Sequence, residues 1–490
     1  MRSEMMTEEG IETGRQKMEK MADAWEDPEL TAFMEWLGKQ GFTDIRLFIS
    51  ARRTVFLAVQ CQELKRHEYG HSRMYIVEAA WKGEYCCAYA SSLTAGSCAE
   101  IVRRLKETAG VYINREIPQG IAESKDFRGQ RWREINQEAV GESLMCAERE
   151  ALSCEKAHFV EMCEYRQYEE TVVLLDGQMH YLADDDGDCT VTVRVVAKDG
   201  DSVAVATKSG IADGGGREAG SRDNSHGWHS RNQQEEFQEI VCELARRAAE
   251  DARLGLHAQR IASGRYPIVI ENCVMAELTG HYLPMFYGEN LMHHTSALAG
   301  KEHEQVGCDF LRLEEDPFSR KGTCRRRIDD EGTPVSKKAL LRNGVFENVL
   351  YNSKSGDQAG GGSTGNGFKP DVTADIGTSV TNVVLSSEAG TCSREELLQS
   401  VREGIYITKI EGMFAGGSTE SGDFSLLASG NRIVDGKLGG AVNQFTISGN
   451  ICELWKDIEM IGDDSVYRMA DRACVVSPSV KAAGLMVSGE

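Results

Sequence analysis

Residues 274–281 read Val-Met-Ala-Glu-Leu-Thr-Gly-His. In this run Glu277 can move a proton and His281 can bind a metal, but Ala276 has no lone pair to give. A catalytic zinc centre takes three protein ligands and keeps a fourth position for water, so a run with one imidazole is short of donors. Just upstream, Tyr266 to Ile270 (YPIVI) reads as a strand entering the helix. Downstream come Thr295 to Gly300 (TSALAG), Ile328 to Pro334 (IDDEGTP) and Leu341 to Leu350 (LRNGVFENVL), the last with Asn343-Gly344 at a hairpin turn. Thr364 to Gly367 (TGNG), Gly404 to Tyr406 (GIY), Ser421 to Phe424 (SGDF), Ile447 to Asn450 (ISGN) and Ile461 to Asp464 (IGDD) complete the series.

These runs, in this order, resemble the TldD/PmbA family of metalloprotease-related proteins. The catalytic branch of that family carries His-Glu-x-x-x-His, and here the first histidine position holds Ala276. Both that loss and the rhythm of His293 to Phe318 are similar to the PmbA branch, also called TldE. Catalytic relatives take a third ligand from a cysteine in a Cys-Gly-Lys setting. The nearest candidate here, Cys474, is followed by Val475-Val476. The resemblance therefore implies a dismantled metal site, with Ala276 and His281 as degenerate positions and Glu277 as the former general base. It implies no cofactor for this chain alone, zinc in a TldD-like partner subunit, and a joint action on unfolded peptides. Two other readings remain open. One is a metallopeptidase active by itself through His281, Cys474 and a histidine from 293 to 303; the other is a peptide-binding homodimer without catalysis.

The chain has 490 residues, 55 basic and 77 acidic side chains and a net charge of −22. Such a field repels phosphate backbones and anionic lipid, so neither nucleic acid nor a membrane is an expected partner. The first residues are charged throughout, and no run approaches the ~18 apolar residues of a membrane span, which leads to the expectation of a cytoplasmic protein. The 15 cysteines are scattered without a Cys-x-x-Cys pair, as expected for small buried thiols in a reducing compartment.

The fold expectation is α+β: N-terminal α/β units followed by a β-rich C-terminal domain, which the resemblance implies to be largely antiparallel and barrel-like. Residues 1–25 are polar and expected to fray. A first unit, 26–112, opens with a helix through Leu30, Phe33, Met34 and Leu37. It continues in strands at 45–49, 54–59, 74–79 and 85–89, and closes with a helix around Ile101, Val102 and Leu105. A second unit, 113–260, holds a polar helix near 130–155 and strands at 171–175, 190–196 and 203–206. A glycine-rich loop around Gly214, Gly215, Gly216 and Gly220 follows, and then an amphipathic helix with Phe237, Ile240, Val241, Leu244, Ala245 and Ala248 on one face. The C-terminal domain, 261–490, carries the degenerate metal helix. Its segment 353–370 is expected to be an exposed loop with its tip at Gly360-Gly361-Gly362.

Other chemistry-bearing groups read as structural. His67-Glu68-Tyr69-Gly70-His71 spells a zincin HExxH, but that motif works only on a helix, and its flanks are β-type. Asp184, Asp185, Asp186 and Asp188 around Gly187 lack the carboxylates a calcium loop needs at its first and last positions, leaving a solvated acidic turn as the expectation. Asp329, Asp330 and Glu331 precede Gly332-Thr333-Pro334 and read as a turn the fold requires. The glycine-rich loops lack a Gly-Lys-Ser/Thr ending, so they are not phosphate cradles. Histidines five apart on an ideal helix lie roughly 140° round the axis; Gly280 would let the helix loosen there, and the expected fate of His281 is a satisfied core histidine.

Overall fold

The computed structural model describes residues 28–111, 117, 120–127, 135–211, 231–319, 322–470 and 473–490. The N-terminal stretch 1–25 and the glycines at 214–216 and 220 lie outside them.

The N-terminal half is one twisted sheet with helices on one face. Helix α1 (Pro28–Lys39) precedes strands β1 (Phe42–Gln60), β2 (Glu63–Trp81) and β3 (Glu84–Ala90). Helix α2 (Ala95–Thr108), the two-residue β4 (Lys125–Asp126) and α3 (Gln137–Ser153) come next. They lead into β5 (Ala157–Asp176), β6 (Tyr181–Asp199), β7 (Ser202–Ile211) and the long α4 (Arg231–Leu254). The strands are ordered β3-β2-β1-β5-β6-β4, with β7 also on β6, so segments 26–112 and 113–260 contribute to a single sheet. The separate strands expected at 45–49 and 54–59 are one strand of 19 residues, and the polar residues 61–73 are the turn and outer arm of its hairpin. That turn holds Cys61 and Gln62 at φ of 55° and 59°. Buried Glu148 on α3 offsets the strain by accepting both backbone N–H groups, at 2.7 and 2.6 Å.

Pleating divides the sheet into two faces. One carries Leu47, Ile49, Val173 and Leu175 toward α1 and α2, and Val55, Leu57, Tyr165 and Val193 toward α3 and α4. The other carries Phe48, Ile76, Val172, Leu174 and Leu182, which meet Ile328 and Val372 of the C-terminal half. The expected face of α1, Leu30, Phe33, Met34 and Leu37, is buried; on that of α4, Phe237, Val241, Ala245 and Ala248 are buried, while Ile240 and Leu244 are half-buried.

The C-terminal half contains β8 (Gly264–Ile270), α5 (Asn272–Tyr282), β9 (Leu311–Glu315), β10 (Lys338–Arg342), β11 (Val345–Phe346), β12 (Gly367–Phe368) and β13 (Gly377–Thr378). It continues with β14 (Asn382–Ser387), β15 (Glu403–Glu411), β16 (Asp423–Val434), β17 (Lys437–Asn450), β18 (Ile458–Ile461), β19 (Val466–Ala470), β20 (Ala473–Ser477) and β21 (Val480–Ser488). One sheet runs β17-β16-β15-β8-β21-β18 and closes through β17 onto β21, which makes the expected barrel; the parallel β8–β15 pair is its one departure from antiparallel pairing. A second sheet, β11-β10-β9-β14-β20-β19, lies across α5. The segment 353–370 differs from the expected exposed loop. Ser353–Ala359 form a helix with an Asn352–Ser355 capping box, Gly360 and Gly361 are exposed, and residues 365–369 are buried.

Candidate functional site

Helix α5 follows directly from β8, whose apolar run Ile268, Val269 and Ile270 is fully buried in the barrel. Val274, Met275, Ala276, Leu278, Thr279 and Tyr282 of α5 are buried too. The helix is thus enclosed on most of its circumference, and Ala276 at 0 % exposure is a core residue beside Met275 and Leu278.

The motifs quoted around this helix act as brackets that hold it. Asp464 of the IGDD run accepts from Ser479 N and Ser479 Oγ at 2.8 and 2.7 Å, and its carbonyl receives Asn272 Nδ2 at 2.7 Å, fixing the N-terminus of α5. Tyr282 at the other end donates to the Asp423 carbonyl at 2.8 Å. Asn450 of ISGN in turn clasps the SGDF loop, donating to Ser421 O and Asp423 Oδ1. Asn366 of TGNG donates to both oxygens of buried Glu315 at 3.0 Å and to Ser379 O. These polar side chains are consumed in positioning backbone.

Glu277 and His281 project from the less covered side of α5. Glu277 Oε2 is 3.1 Å from Arg468 Nη2 on β19, a pair that is one-third to one-half exposed. His281 stacks edge-on against Tyr282, and its Nε2 is buried without a hydrogen-bond partner among the described residues. It faces Gly417 so closely that a Cβ there would lie 2.5 Å from Nε2. This is not the satisfied core histidine expected. Cys474 is fully buried on β20 directly opposite Met469, while Arg468, one residue before Met469, opposes Val475. Since Arg468 reaches Glu277 and Val475 shares the core of α5, strand alternation turns Cys474 to the other face. There Thr323 bonds to it, and burial pushes its thiol above the ordinary range. His293, His294 and His303 are all exposed.

The residues present do not fit zinc. Ala276 offers no donor, Glu277 is engaged by a cation, and Cys474 is turned away. Among the described residues no three His, Cys, Asp or Glu side chains stand together to hold a metal ion. His67 and His71 lie on β2, paired with Leu57 and Arg53, and the extended backbone sets them roughly 13 Å apart.

Beside Arg468, the partner of Glu277, opens a cleft of about 1080 Å³, bounded by β5–β7 and α4 on one side and by the start of α5 and residues 463–469 on the other. Lys208 spans it, 2.5 Å from Asp251 and 2.8 Å from Glu271 at the start of α5. These carboxylates outweigh burial and raise the Lys208 ammonium above its ordinary value.

The acidic run 184–188 is neither solvated nor a turn. It lies within β6, and Asp184 is fully buried. Asp184 Oδ2 accepts Ile328 N at 3.1 Å and also bonds Arg327 N, while Asp186 Oδ1 accepts Arg325 N at 2.8 Å. Arg326 lies between these carboxylates and Asp330, 3.6 Å from Asp184 and 3.0 Å from Asp330. Asp329 is the hub of the required turn, receiving Glu331 N, Thr333 N and Gly367 N. Burial, with Glu331 nearby, nonetheless raises its carboxyl to about 8. Sequence reasoning missed this interface because isolated aspartates around a glycine read as a turn; the signal was the matching arginine run 325–327.

Residues 263–489 match the family model described as the PmbA/TldA metallopeptidase C-terminal domain. The C-terminal part of the chain, residues 263–489, carries the C-terminal domain of the TldD/PmbA family. It is similar to the metalloprotease PmbA of Escherichia coli O157:H7, 26 % identical over 231 residues, or 47 % of this chain and 48 % of that one. A metalloprotease TldD homologue of Buchnera aphidicola is 27 % identical over 241 residues, 48 % of each chain. These matches span about half the length of the curated relatives. Solved structures share the fold over nearly the whole chain. TldE from Thermococcus kodakarensis superposes with a TM-score of 0.79 at 20 % identity, covering 93 % of this chain and all of that one. A protein from Thermotoga maritima described as a putative modulator of a DNA gyrase gives 0.77 at 23 % identity, covering 93 % and 98 %. Among the described residues no helix is long and apolar enough to cross a membrane.

Proposed function

We propose that this chain is a PmbA/TldE-like, non-catalytic subunit that assembles with a TldD-like zinc protease, the pair acting on unfolded peptides. The observation that carries the reading is the Glu277–Arg468 ion pair beside a buried Ala276. In a zinc peptidase the carboxylate next to the metal must be free to take a proton from water. Here a guanidinium supplies the positive charge instead, and an arginine neither polarises water as a metal does nor gives up its own proton. The adjoining cleft, large enough for an extended segment of chain, supports a role in holding peptide. Its lining mixes both signs of charge, which suits a broad range of unfolded sequences. The reading of a peptidase active by itself draws on His281, whose Nε2 has no partner among the described residues, but metal affinity needs more than one fixed ligand.

The purified chain is expected to bind no stoichiometric zinc at neutral pH and to hydrolyse no unfolded peptide. Hydrolysis is expected when a TldD-like subunit is added, unchanged by Glu277→Gln in this chain. Elemental analysis and a peptide-cleavage assay check this. One tightly held zinc per isolated chain, with chelator-sensitive cleavage abolished by His281→Ala, would overturn it.

A further inference from the structure

Two cysteines outside the candidate site meet across a helix pair. Cys146 on α3 and Cys242 on α4 have their sulfur atoms 3.7 Å apart, with the Cys242 thiol donating to the Cys146 sulfur. The side-chain amide of Gln238 donates to the same sulfur at 3.4 Å. Four residues further along both helices, Arg246 Nε reaches Glu150 Oε1 at 3.0 Å. Equal steps on the two helices mean that α3 and α4 run side by side in the same direction, with contacts repeating every turn. Ala147, Ala151, Ala245, Ala248 and Ala249 are all buried in the core that the two helices share with the sheet. A disulfide requires the sulfurs to close to ~2.05 Å, a further approach of about 1.7 Å from their present separation.

We infer that Cys146 and Cys242 form a redox-modification site that takes a hydroperoxide and closes to an intramolecular disulfide. Cys146 is half-buried and is the sulfur an oxidant can reach, whereas Cys242 is buried. The reaction starts at Cys146. Its thiolate sulfur attacks one peroxide oxygen, the O–O bond breaks, and water leaves after protonation, giving a sulfenic acid. The Cys242 sulfur then attacks the Cys146 sulfur. The S–O bond breaks, the Cys242 proton leaves with the hydroxide as a second water, and the S–S bond forms. Two thiols are oxidised by two electrons and one peroxide is reduced to two waters. Burial, reinforced by the contact with Cys146, raises the Cys242 thiol, so Cys242 is not the sulfur that meets the peroxide first.

The bond would close a covalent loop across 96 residues of sequence and fix α4. Helix α4 forms one wall of the cleft through Leu244, Arg247 and Asp251, so the oxidised protein holds that wall rigid.

The test treats the full chain with hydrogen peroxide under denaturant-free conditions and then alkylates free thiols. Digestion and mass spectrometry are expected to show the peptides containing Cys146 and Cys242 joined, with a loss of about 2 Da per bond. Cys242→Ser should trap a sulfenic acid on Cys146, detectable with a dimedone-type probe, while Cys146→Ser should leave Cys242 alkylatable after unfolding. Reduction should reverse the link. If Cys146 and Cys242 remain free thiols while exposed Cys61 is oxidised, or if Cys146 joins another cysteine instead, the inference is wrong.

Discussion

Asn343 and Gly344 hold φ of 50° and 72°, the paired left-handed conformation that a two-residue hairpin turn demands. This turn was legible in the sequence because its chemistry is local: Asn tolerates positive φ, glycine prefers it, and apolar strand residues flank both. What was not legible is why glycine is needed twice over. A Cβ at 344 would collide with the carbonyl oxygens of Gly307 and Cys308. Gly344→Ala is therefore expected to lose about 2–3 kcal/mol, from backbone strain plus the displaced 307–308 loop. Urea titration of the variant against the parent measures it, and a loss below half a kcal/mol would mean that the loop yields freely. Ala276 shows the opposite limit of single-residue reading. Its missing lone pair was plain from sequence, but that it fills a core position beside Met275 depends on contacts made by β20 two hundred residues later.

At the level of elements, long strands were read as short ones because alternation fails where both faces of a sheet are covered. In β1, residues 45–50 are all buried: one set of side chains meets α1 and α2, the other meets the C-terminal half. The same double coverage put carboxylates where solvent was expected. Asp184 and Asp186 point from β6 at the backbone of 325–328, with Arg326 as their shared cation, and Glu170 adds to its field. A buried cation surrounded in this way contributes mainly by preventing uncompensated charge. Arg326→Ala is expected to cost about 3–5 kcal/mol, since it strands Asp184 and Asp330 in the interior. Chemical denaturation should show the loss, and limited proteolysis should open the junction between the sheet and the C-terminal half. A near-neutral result would place those carboxylates in contact with water.

On the scale of the whole molecule, the N-terminal sheet is a slab with hydrophobic helices on one side and a charged, partly apolar junction with the barrel half on the other. Acid groups are trapped on both sides of it. On the helix side Glu169 lies between the two helix-covered cores, 3.0 Å from Arg53 and near Asp185, and burial raises its carboxyl to about 7 despite the arginine. On the junction side Asp329 is raised to about 8 by burial and by Glu331 and Asp330. Both native values lie above the ~4 of an unfolded chain, so between pH ~4 and ~8 the native state binds more protons than the unfolded state does. The stabilisation from these groups is complete below pH ~4 and is lost progressively as pH rises through 7 and 8. Thermal unfolding followed from pH 5 to 8.5 should accordingly show the midpoint falling with pH, at constant ionic strength. Glu169→Gln keeps the shape of the side chain but removes its titration, so its curve should be flatter between pH 5 and 7 and cross above the parent on the alkaline side. A parent midpoint that climbs over that range would show that Arg53 and the backbone donors, rather than burial, govern these carboxyls.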